Sequence, residues 1–498
     1  MVDMIFCGVD IGTSSIKVML VNEKGEVIFT ESFRLPKSNF FFNGQGLQCH
    51  EQDPAEWWNS LTQLLKHATN ALKKNKLSLE EISGLSIVGT SGTILIMDEK
   101  SDTPLTNAIM YNDCRAADEV QEINICSEDH CRRMGYIFSA PFAISKIVWF
   151  MRHRPKIVEH GKFIHGSDYL VGKLTDEYYT SDYSHSLKTG LDLINVKWPE
   201  FIEEDLHIPL SKLPKIVNTG DFIASTTRKI ENLTGIPQGT PVFAGATDST
   251  AGLIASGAIH KGDLFTALGS TIVSKIITDE LLRDPKGRIY SHKFYGGSWI
   301  LGGAGNCGTL TLNEEFGIKE LDVLDKKVSD YIPTDTYVYP LPHKGERFPF
   351  NNPYAEGFEI GNFHNISHKY TAYLEGMCYI EKMMQEVFQE LGAKCNESVY
   401  SVGGGTNSLA WMKLRATILN KLIKIPKIPE AAFGAALLVA SSTFFNHDLK
   451  KACATLVQVG TSYHPNESLV AIYNENYQKF KAIIQDKLTN EWKKEQLI

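Results

Sequence analysis

The segment Asp10-Ile11-Gly12-Thr13-Ser14-Ser15 lies between two apolar runs, residues 4–9 and residues 16–21. A glycine with small hydroxyl residues between two short apolar runs is typical of the turn of a β-hairpin. A second turn at residues 22–25 leads into a third run at residues 26–33. The sequence therefore predicts a three-stranded meander at the start of the chain.

A related hairpin occurs about half a chain later. Residues 264–268 and 272–277 read as two strands around the turn Gly269-Ser270-Thr271. Both turns place a glycine before two hydroxyl residues, and repetition of one supersecondary unit indicates two similar domains. A length of 498 residues also exceeds what one hydrophobic core normally serves. We therefore divide the chain into an N-terminal domain, residues 1–255, and a C-terminal domain, residues 256–498.

Strands followed by helices occur in both halves, and this order predicts α/β domains. An amphipathic helix is predicted at residues 54–74, because Asp53 can serve as its N-cap and Pro54 suits its first position. The other predicted elements are strands at residues 85–88, 241–244, 288–293, 298–302 and 398–402, and helices at residues 370–391, 409–419 and 431–441. The last of these helices consists of small residues, which allow close packing against a neighbour.

Three glycine-containing turns follow predicted strands, at residues 10–15, 269–271 and 403–407. Such turns bring backbone N–H groups and small hydroxyls close to a ligand without a bulky Cβ in the way, which suits phosphate oxygens. Each turn alone is more often an ordinary turn. The three in this order favour a nucleotide phosphate site.

Two carboxylates accompany these turns. Asp10 lies in the first turn and can hold Mg²⁺ near phosphate groups. Asp248 lies between an apolar strand and a helix of small residues. Aspartate at this place can cap the helix, or it can act as a general base that the helix dipole keeps ionised. The residues alone leave both readings of Asp248 open.

Composition excludes several classes of partner. A formal net charge of -8 argues against a nucleic-acid binder, which needs a basic surface. No apolar stretch approaches the roughly 20 residues that span a bilayer, and no secretory signal is recognisable. Nine cysteines without a C-x-x-C pair predict reduced thiols. We expect a cytoplasmic protein that binds neither nucleic acid nor membrane.

Five segments carry recognisable motifs: residues 9–17, residues 51–58, residues 245–248, residues 268–271, and residues 403–411 together with Glu430 and residues 433–436. In this order they resemble the first phosphate motif, the acidic Pro-Trp segment, the catalytic-base motif, the second phosphate motif and the adenosine-site signature of the FGGY carbohydrate kinases. That family is part of the actin, hexokinase and heat-shock ATPase superfamily. The resemblance covers nearly the whole chain. It implies an α/β fold with two ribonuclease-H-like domains of the actin and hexokinase type around a central cleft.

The resemblance also implies a role for each motif. Asp248 is expected to be the catalytic base and, with Asp10, to bind Mg²⁺. The N-terminal domain is expected to bind the sugar and the C-terminal domain ATP, with the last helix free to pack back on the first domain. The residues expected to bind ATP are Gly12, Thr13, Ser14, Ser15, Lys17, Gly269, Ser270, Thr271, Gly403, Gly404, Gly405 and Asn407. The residues expected to bind the sugar are Thr90, Ser91, Gly92, Asn112, Asp113 and Asp248.

Within the family, residues 89–93, 111–116, 181–188, 289–292 and 302–306 are similar to the plant and cyanobacterial D-ribulose kinases. His185 lies in a segment that resembles the sugar-proximal loop. D-xylulose kinases typically carry Gln-Met-His where this chain has Thr90-Ser91-Gly92. The resemblance therefore implies ATP-dependent phosphorylation of D-ribulose to D-ribulose 5-phosphate.

Two alternatives remain at this stage. One is a kinase of the same family for D-xylulose, a pentitol, gluconate or glycerol. The other is an actin-like or chaperone-type ATPase that binds a protein partner and no sugar. The Asp248 motif and the segment around Asp113 favour a sugar site, because a protein-binding ATPase has no use for them. The sequence leaves the oligomeric state open between a monomer and a homodimer.

Overall fold

The computed structural model describes residues 4–493 and is a mixed α/β protein. The strands are β1 (Ile5–Ile11), β2 (Ser15–Asn22), β3 (Val27–Arg34), β4 (Asn39–Phe42), β5 (Gln48–Gln52), β6 (Ile82–Gly89), β7 (Ile94–Asp98), β8 (Ala108–Ile109), β9 (Gly161–His165), β10 (Thr180–Asp182), β11 (Lys215–Val217), β12 (Phe222–Ser225), β13 (Pro241–Phe243), β14 (Leu264–Leu268), β15 (Ile272–Thr278), β16 (Tyr290–Lys293), β17 (Trp299–Ala304), β18 (Tyr337–Tyr339), β19 (Phe358–Ile360), β20 (Ser398–Val402), β21 (Leu422–Pro426) and β22 (Val459–Tyr463).

The helices are α1 (Pro54–Lys74), α2 (Val120–Cys126), α3 (Glu128–Met134), α4 (Ala143–His153), α5 (Pro155–His160), α6 (Gly166–Thr175), α7 (Tyr183–Ser186), α8 (Phe201–Glu204), α9 (Arg228–Thr234), α10 (Asp248–Ser256), α11 (Thr309–Phe316), α12 (Leu321–Asp325), α13 (Ile366–Glu390), α14 (Leu409–Leu419), α15 (Ala431–Thr443), α16 (Leu449–Leu456) and α17 (Glu467–Asn490). None of the helices in the described part of the chain is long and apolar enough to cross a membrane. All nine cysteines are free thiols.

The chain forms two compact units that do not follow a single boundary. Unit 1 contains the residues up to Gly257, His292–Gly297 and Glu430–Val457, and unit 2 contains Ala258–Ser291, Ser298–Pro429 and the chain from Gln458 onward. The division into residues 1–255 and 256–498 differs from this arrangement, because α15 and α16 fall in unit 1. The last helix, α17, belongs to unit 2.

Unit 1 is built on a six-stranded sheet with the order β12-β13-β6-β1-β2-β3. Strands β1, β2 and β3 are antiparallel neighbours, which confirms the predicted meander, and β6 runs parallel to β1. Ile5, Cys7 and Val9 of β1 join the core that includes Trp57 and Leu61 of α1. Because side chains alternate along a strand, Gly8 faces the opposite side of the sheet.

Helix α15 packs on that opposite side, and two glycines permit the close contact. A Cβ on Gly8 would lie 1.9 Å from the carbonyl oxygen of Ala432, and a Cβ on Gly434 would lie 2.0 Å from that of Ala251. The predicted close packing of a small-residue helix is therefore confirmed. This packing against β1 and α10 explains why residues 430–457 belong to unit 1.

Unit 2 is built on a seven-stranded sheet with the order β16-β17-β15-β14-β20-β21-β22. Strands β14 and β15 form the predicted second hairpin, and β20 runs parallel to β14. One face of the long helix α13 is buried in the core of unit 2 and carries Tyr373, Met377, Ile380, Met384 and Phe388. This face packs against the core and is not a ligand surface.

Candidate active site

Asp10 is the second-last residue of strand β1 and does not lie in the hairpin turn, where the sequence pattern predicted it. Strand β1 continues to Ile11, and Asp10 pairs with Lys17 across the hairpin and with Val88 of β6. Its Oδ1 is buried and has no hydrogen-bond partner. Burial is the largest cause of a raised pKa at Asp10, and with Asp248 and Glu430 raising the pKa and Lys17 lowering it, the net value is about 7. A buried carboxylate oxygen without a donor suits a bound cation.

Lys17, expected to bind phosphate, forms an ion pair with Glu430. The distance from Lys17 Nζ to Glu430 Oε2 is 2.6 Å, and each side chain is about a third exposed, at 31% and 38%. Glu430 is the N-cap residue of α15. Glu430 resembles part of the adenosine motif in sequence, whereas the structure places it in unit 1 beside Lys17 and Asp10. Only the packing of α15 on β1 reveals this position.

Asp248 is the first residue of α10, and Thr247 is the N-cap. The reading of Asp248 as the N-cap is therefore wrong. The Ser249 backbone N–H donates to Asp248 Oδ1 over 2.6 Å, and the N-terminus of a helix favours a negative charge. The Asp248 carboxylate also lies close enough to Asp10 to raise the pKa of Asp10. The structure thus brings together the two predicted acidic residues.

The turn after β1 is held by main-chain contacts. Gly12 N donates to Ser15 O over 2.9 Å, and Leu35 N donates to Ser14 O over 2.9 Å. Gln52 Nε2 donates to the carbonyl of Thr13 over 2.7 Å. The Ser14 side chain is exposed and the Thr13 side chain is half-buried. Fixed carbonyls leave a turn of defined shape with hydroxyls at its surface, as a phosphate site requires.

A buried lysine shapes the turn expected to bind sugar. Lys146 Nζ donates to the carbonyls of Gly92 (2.7 Å), Met110 (2.7 Å) and Pro141 (3.1 Å). Burial lowers the pKa of Lys146. Gly92 has a φ of +81°, a conformation that favours glycine, and Thr90 Oγ1 lies 2.7 Å from Thr93 Oγ1. Lys146 was not predicted, because the carbonyls of Gly92 and Met110 lie 54 and 36 positions away from it in the chain.

Asp113, another expected sugar ligand, is bound within the protein. Its carboxylate accepts from Arg115 Nε (3.0 and 3.1 Å) and from the His50 backbone N–H (2.6 Å). Arg115 also contacts Glu51 over 2.7 Å. Asn112 Oδ1 lies 2.6 Å from His50 Nδ1, while His50 Nε2 is buried without a partner. The segment around Asp113 is therefore a rigid support next to a buried histidine.

In unit 2 the two remaining turns follow neighbouring parallel strands. Because β14 and β20 are parallel, their carboxyl ends meet at one edge of the sheet. Gly403, with a φ of +96°, lies so close to this edge that a Cβ there would be 2.6 Å from the carbonyl of Leu268. Gly269 N donates to Thr271 O over 3.1 Å, and Ser270 is exposed. The turns at residues 269–271 and 403–407 thus lie together at this edge of the sheet in unit 2.

A cavity of about 1180 Å³ opens next to this edge within unit 2. Gly404, Gly405 and Asn407 line it, together with Asp325 and Tyr370. No atom lies within 4 Å of a Cβ built on Gly404, so the turn faces open space. A cavity of this volume is large enough for a ligand of nucleotide size.

Within residues 4–493, no group of three or more histidine, cysteine, aspartate or glutamate side chains forms a preformed metal cage. Mg²⁺ commonly binds through one or two carboxylates and completes its shell with water and substrate phosphates. The residues present fit this mode, because Asp10 offers a buried oxygen without a partner and Asp248 lies near it.

Comparison with known proteins identifies the chain's relatives. Residues 5–255 match the N-terminal domain and residues 268–443 the C-terminal domain of the FGGY family of carbohydrate kinases. The chain is 25% identical to a xylulose kinase of Bacillus subtilis over 493 residues, covering 96% of each chain. It is 28% identical to a gluconokinase of Bacillus subtilis over 459 residues, covering 86% of each.

Among solved structures, a crystal structure described as a xyloylose kinase from Brucella ovis superimposes with a TM-score of 0.87 at 25% identity. The superposition covers 97% of this chain and 99% of that one. The predicted two-domain α/β fold is confirmed by this similarity. The matches set aside the protein-binding ATPase as an alternative.

Proposed function

Because this chain belongs to the FGGY family of carbohydrate kinases, ATP-dependent phosphotransferases that act with Mg²⁺, we propose that it phosphorylates the terminal hydroxyl of a ketopentose with Asp248 as the general base. The observation that carries the proposal is the pairing of two carboxylates in unit 1. Asp248 stands at the N-terminus of α10, and Asp10 beside it has a buried oxygen without a partner.

Asp248 is suited to accept the proton of a sugar hydroxyl. The N-terminus of α10 and the Ser249 N–H favour its ionised form, and an ionised carboxylate is what a base requires. Lys188 lies near Asp248: burial lowers the pKa of Lys188, while Asp248 raises it. A neighbouring ammonium group helps to hold the negative charge on the base in place.

Asp10 and Asp248 would hold Mg²⁺, and the ion supplies positive charge beside the phosphate oxygens of ATP. Phosphoryl transfer depends mainly on positioning and charge stabilisation. In unit 1 the turn at residues 12–15 would supply N–H groups and hydroxyls for phosphate oxygens, and in unit 2 the turns at residues 269–271 and 403–407 would supply the same kinds of group. The cavity beside Gly404 and Asn407 would take the nucleoside.

D-xylulose is the first candidate for the sugar, because two of the three relatives described above carry the name of a xylulose kinase and align over nearly their whole length. D-ribulose is the second candidate, because Thr90-Ser91-Gly92 departs from the Gln-Met-His typical of D-xylulose kinases. Lys146 holds this turn through the Gly92 carbonyl, so the turn presents a fixed surface to the sugar.

The experiment is ADP release by the purified protein with ATP and Mg²⁺ in the presence of D-xylulose, D-ribulose, gluconate, glycerol or no sugar. We expect the highest kcat/KM with a ketopentose. The two ketoses differ only at C3, and a misplaced hydroxyl costs about 1–3 kcal/mol per unpaired partner, so one should exceed the other by roughly 10- to 100-fold. A preference for D-xylulose supports the first candidate and one for D-ribulose the second. A preference for gluconate or glycerol contradicts the ketopentose proposal.

A further inference from the structure

The residue immediately before Asp248 is anchored by a buried serine from another helix. The Thr247 backbone N–H donates to Ser184 Oγ over 3.0 Å. Thr247 is the N-cap of α10, and Ser184 belongs to the short helix α7, which lies 63 positions earlier in the chain. Both residues are buried, with exposed fractions of 4% and 3%. The start of α10 is therefore tied to α7 away from solvent.

The direction of each hydrogen bond in this anchor is fixed. A backbone N–H can only donate, so Ser184 Oγ must be the acceptor for Thr247. The Ser184 hydroxyl proton is then free for Asp182, whose Oδ1 lies 2.5 Å from Ser184 Oγ. Asp182 is buried and has only acceptor oxygens when ionised. A carboxylate thus orients the serine, and the serine orients the amide.

Asp182 is itself held in place from several sides. Its Oδ1 accepts from the backbone N–H groups of Ser184 (2.7 Å) and His185 (3.2 Å), and its Oδ2 lies 2.5 Å from His185 Nδ1. Burial alone would lower the pKa of His185, but Asp182, with smaller contributions from Asp168 and Asp248, raises the pKa to about 9. His185 is thus the charged partner that keeps Asp182 ionised in a buried setting, where an unpaired charge would be costly.

On its other side, Thr247 directs the first turn of α10. Its carbonyl accepts from Thr250 N and Ala251 N, each over 2.9 Å, and its hydroxyl lies 2.9 Å from that of Thr250. Gly89 at the end of β6 forms a bridge with Thr247. Because Asp248 follows directly, the φ and ψ angles that Thr247 adopts determine where the Asp248 carboxylate points.

We infer that Ser184, oriented by Asp182, is a positioning residue that fixes the Thr247 amide and thereby aims the Asp248 carboxylate at the sugar hydroxyl. This inference rests on the proposed role of Asp248 as the base. Ser184 acts through the backbone and does not touch the reacting atoms. Its loss should therefore lower kcat more than it changes the KM for ATP.

The test compares Ser184→Ala with Ser186→Ala. Both changes remove one buried hydroxyl from α7, but Ser186 Oγ has no hydrogen-bond partner. We expect Ser184→Ala to lower kcat by roughly 10- to 100-fold, the scale of a misplaced catalytic group, with the KM for ATP nearly unchanged. Ser186→Ala should keep the kcat of the parent protein. Thermal melting of both variants measures the structural contribution separately.

Conservative replacement sharpens the test. Ser184→Thr keeps a hydroxyl and should recover most of the lost kcat, whereas Ser184→Cys, with a weak donor and acceptor, should stay low. Ser184→Cys also provides the comparison if Ser184→Ala does not fold. A kcat for Ser184→Ala within about twofold of that for Ser186→Ala, or equal losses in both, would overturn the inference.

The outcome also separates this inference from the proposed function. Asp248→Asn is measured in the same assay. If Asp248→Asn loses turnover while Ser184→Ala does not, only the positioning role of Ser184 fails. If Asp248→Asn keeps the turnover of the parent protein, Asp248 is not the base, and the proposed function and the inference built on it both fail.

Discussion

The two large sheets have the same topology but differ in the charge of the residues beside their glycine turns. Written from the edge, β12-β13-β6-β1-β2-β3 of unit 1 corresponds to β22-β21-β20-β14-β15-β17 of unit 2, with β16 as an additional strand. In each sheet a hairpin lies beside a parallel strand, β6 or β20, and the edge strand β12 or β22 is antiparallel to its neighbour. The shared scaffold positions a glycine turn at the end of its first hairpin strand.

The residues placed on this scaffold differ. Aligning the two turn glycines puts Asp10 of unit 1 at the position of Ala267 in unit 2, and Gly8 at the position of Phe265. The carboxylate is therefore present in one hairpin only. The glycine that admits α15 in unit 1 is replaced by a buried phenylalanine in unit 2. The shared sheet topology determines where each glycine turn lies. Single residues beside the turn determine whether it carries a carboxylate that can bind a cation or offers only hydrogen-bond donors.

Two buried carboxylates extend the comparison. Burial raises the pKa of Asp10 in unit 1 and of Glu375 in unit 2, each to about 7. Glu375 accepts from Tyr473 Oη over 2.6 Å and from Thr334 N over 3.1 Å, whereas Asp10 Oδ1 has no partner. The Glu375 carboxylate has hydrogen-bond donors within the core and serves the structure of unit 2. The Asp10 oxygen has no donor and is available for a ligand.

The largest effect is expected at the base. Asp248→Asn should lower turnover by about 100- to 10,000-fold, the range of general-base catalysis, because an amide cannot accept the hydroxyl proton. Steady-state ADP release measures it. Glu467→Gln is the control, since Glu467 is also the first residue of a helix, α17, but is exposed and belongs to unit 2. If Asp248→Asn turns over at a rate close to that of Glu467→Gln, the Asp248 carboxylate of unit 1 is not the general base.

The next effect concerns Glu375 and pH. Its pKa is raised to about 7 from a usual value of 4.5, so the folded protein holds this proton after the unfolded chain has released it. Stability from this group is fully present below about pH 4.5 and is lost as the pH rises through about 7, a change of about 3 kcal/mol. Glu375→Gln should remove this pH dependence.

Denaturant unfolding at about pH 5 and about pH 8 checks this, with Glu386→Gln on the same helix as the control. Glu386 pairs with Lys481 at the surface, and 37% of its side chain is exposed. We expect Glu375→Gln to gain stability relative to the parent protein as the pH rises, and Glu386→Gln to follow the parent protein. A parallel pH dependence in all three would contradict a perturbed Glu375.

The sequence predicted the scaffold better than the site. Helix α1 was predicted with its observed bounds, and Asp53 accepts from Ala55 N as the predicted N-cap, because capping and periodicity are local signals. Two features were not predicted: the Asp10 oxygen without a hydrogen-bond partner, and the series of hydrogen bonds that links Asp182 through Ser184 to Thr247. Ser184 and Thr247 are 63 positions apart, and Asp10 pairs with the distant Val88, so a single sequence carries no periodic signal for either contact.

Residue 430 shows the same limit. Motif resemblance associated Glu430 with the adenosine site, whereas the Glu430 side chain contacts Lys17, 413 positions away in the chain. The close packing that brings α15 to β1 was anticipated from the small residues of the helix. The strand that receives it could not be named, because Gly8 reads as one more residue of an apolar run.

A smaller effect is expected from Asp10→Asn. The amide removes one charge from the proposed Mg²⁺ site, and the Mg²⁺ concentration for half-maximal turnover should rise by about 10-fold or more. Titration of turnover with Mg²⁺ at saturating sugar measures it. Because the carboxylate oxygen is buried without a partner, the metal-free variant should melt no lower than the parent protein. An unchanged Mg²⁺ requirement would contradict the assignment of metal to unit 1.

The last prediction concerns stability and tests the residue that distinguishes the two hairpins in packing. A Cβ on Gly8 would collide with the backbone of Ala432 at 1.9 Å, and backbone atoms cannot move aside as a flexible side chain can. Gly8→Ala should therefore destabilise unit 1 by about 2 kcal/mol, the scale of overpacking in a core. Gly44→Ala is the matched control, because its Cβ meets no atom within 4 Å. Denaturant unfolding of both variants measures the difference in stability. Equal stability of the two would show that α15 does not pack tightly against β1.

Turnover of Gly8→Ala gives a second measurement. Gly8 presents no side chain to a substrate, so a loss of turnover would report displacement of Glu430, the N-cap of α15, and of α10, which contacts α15.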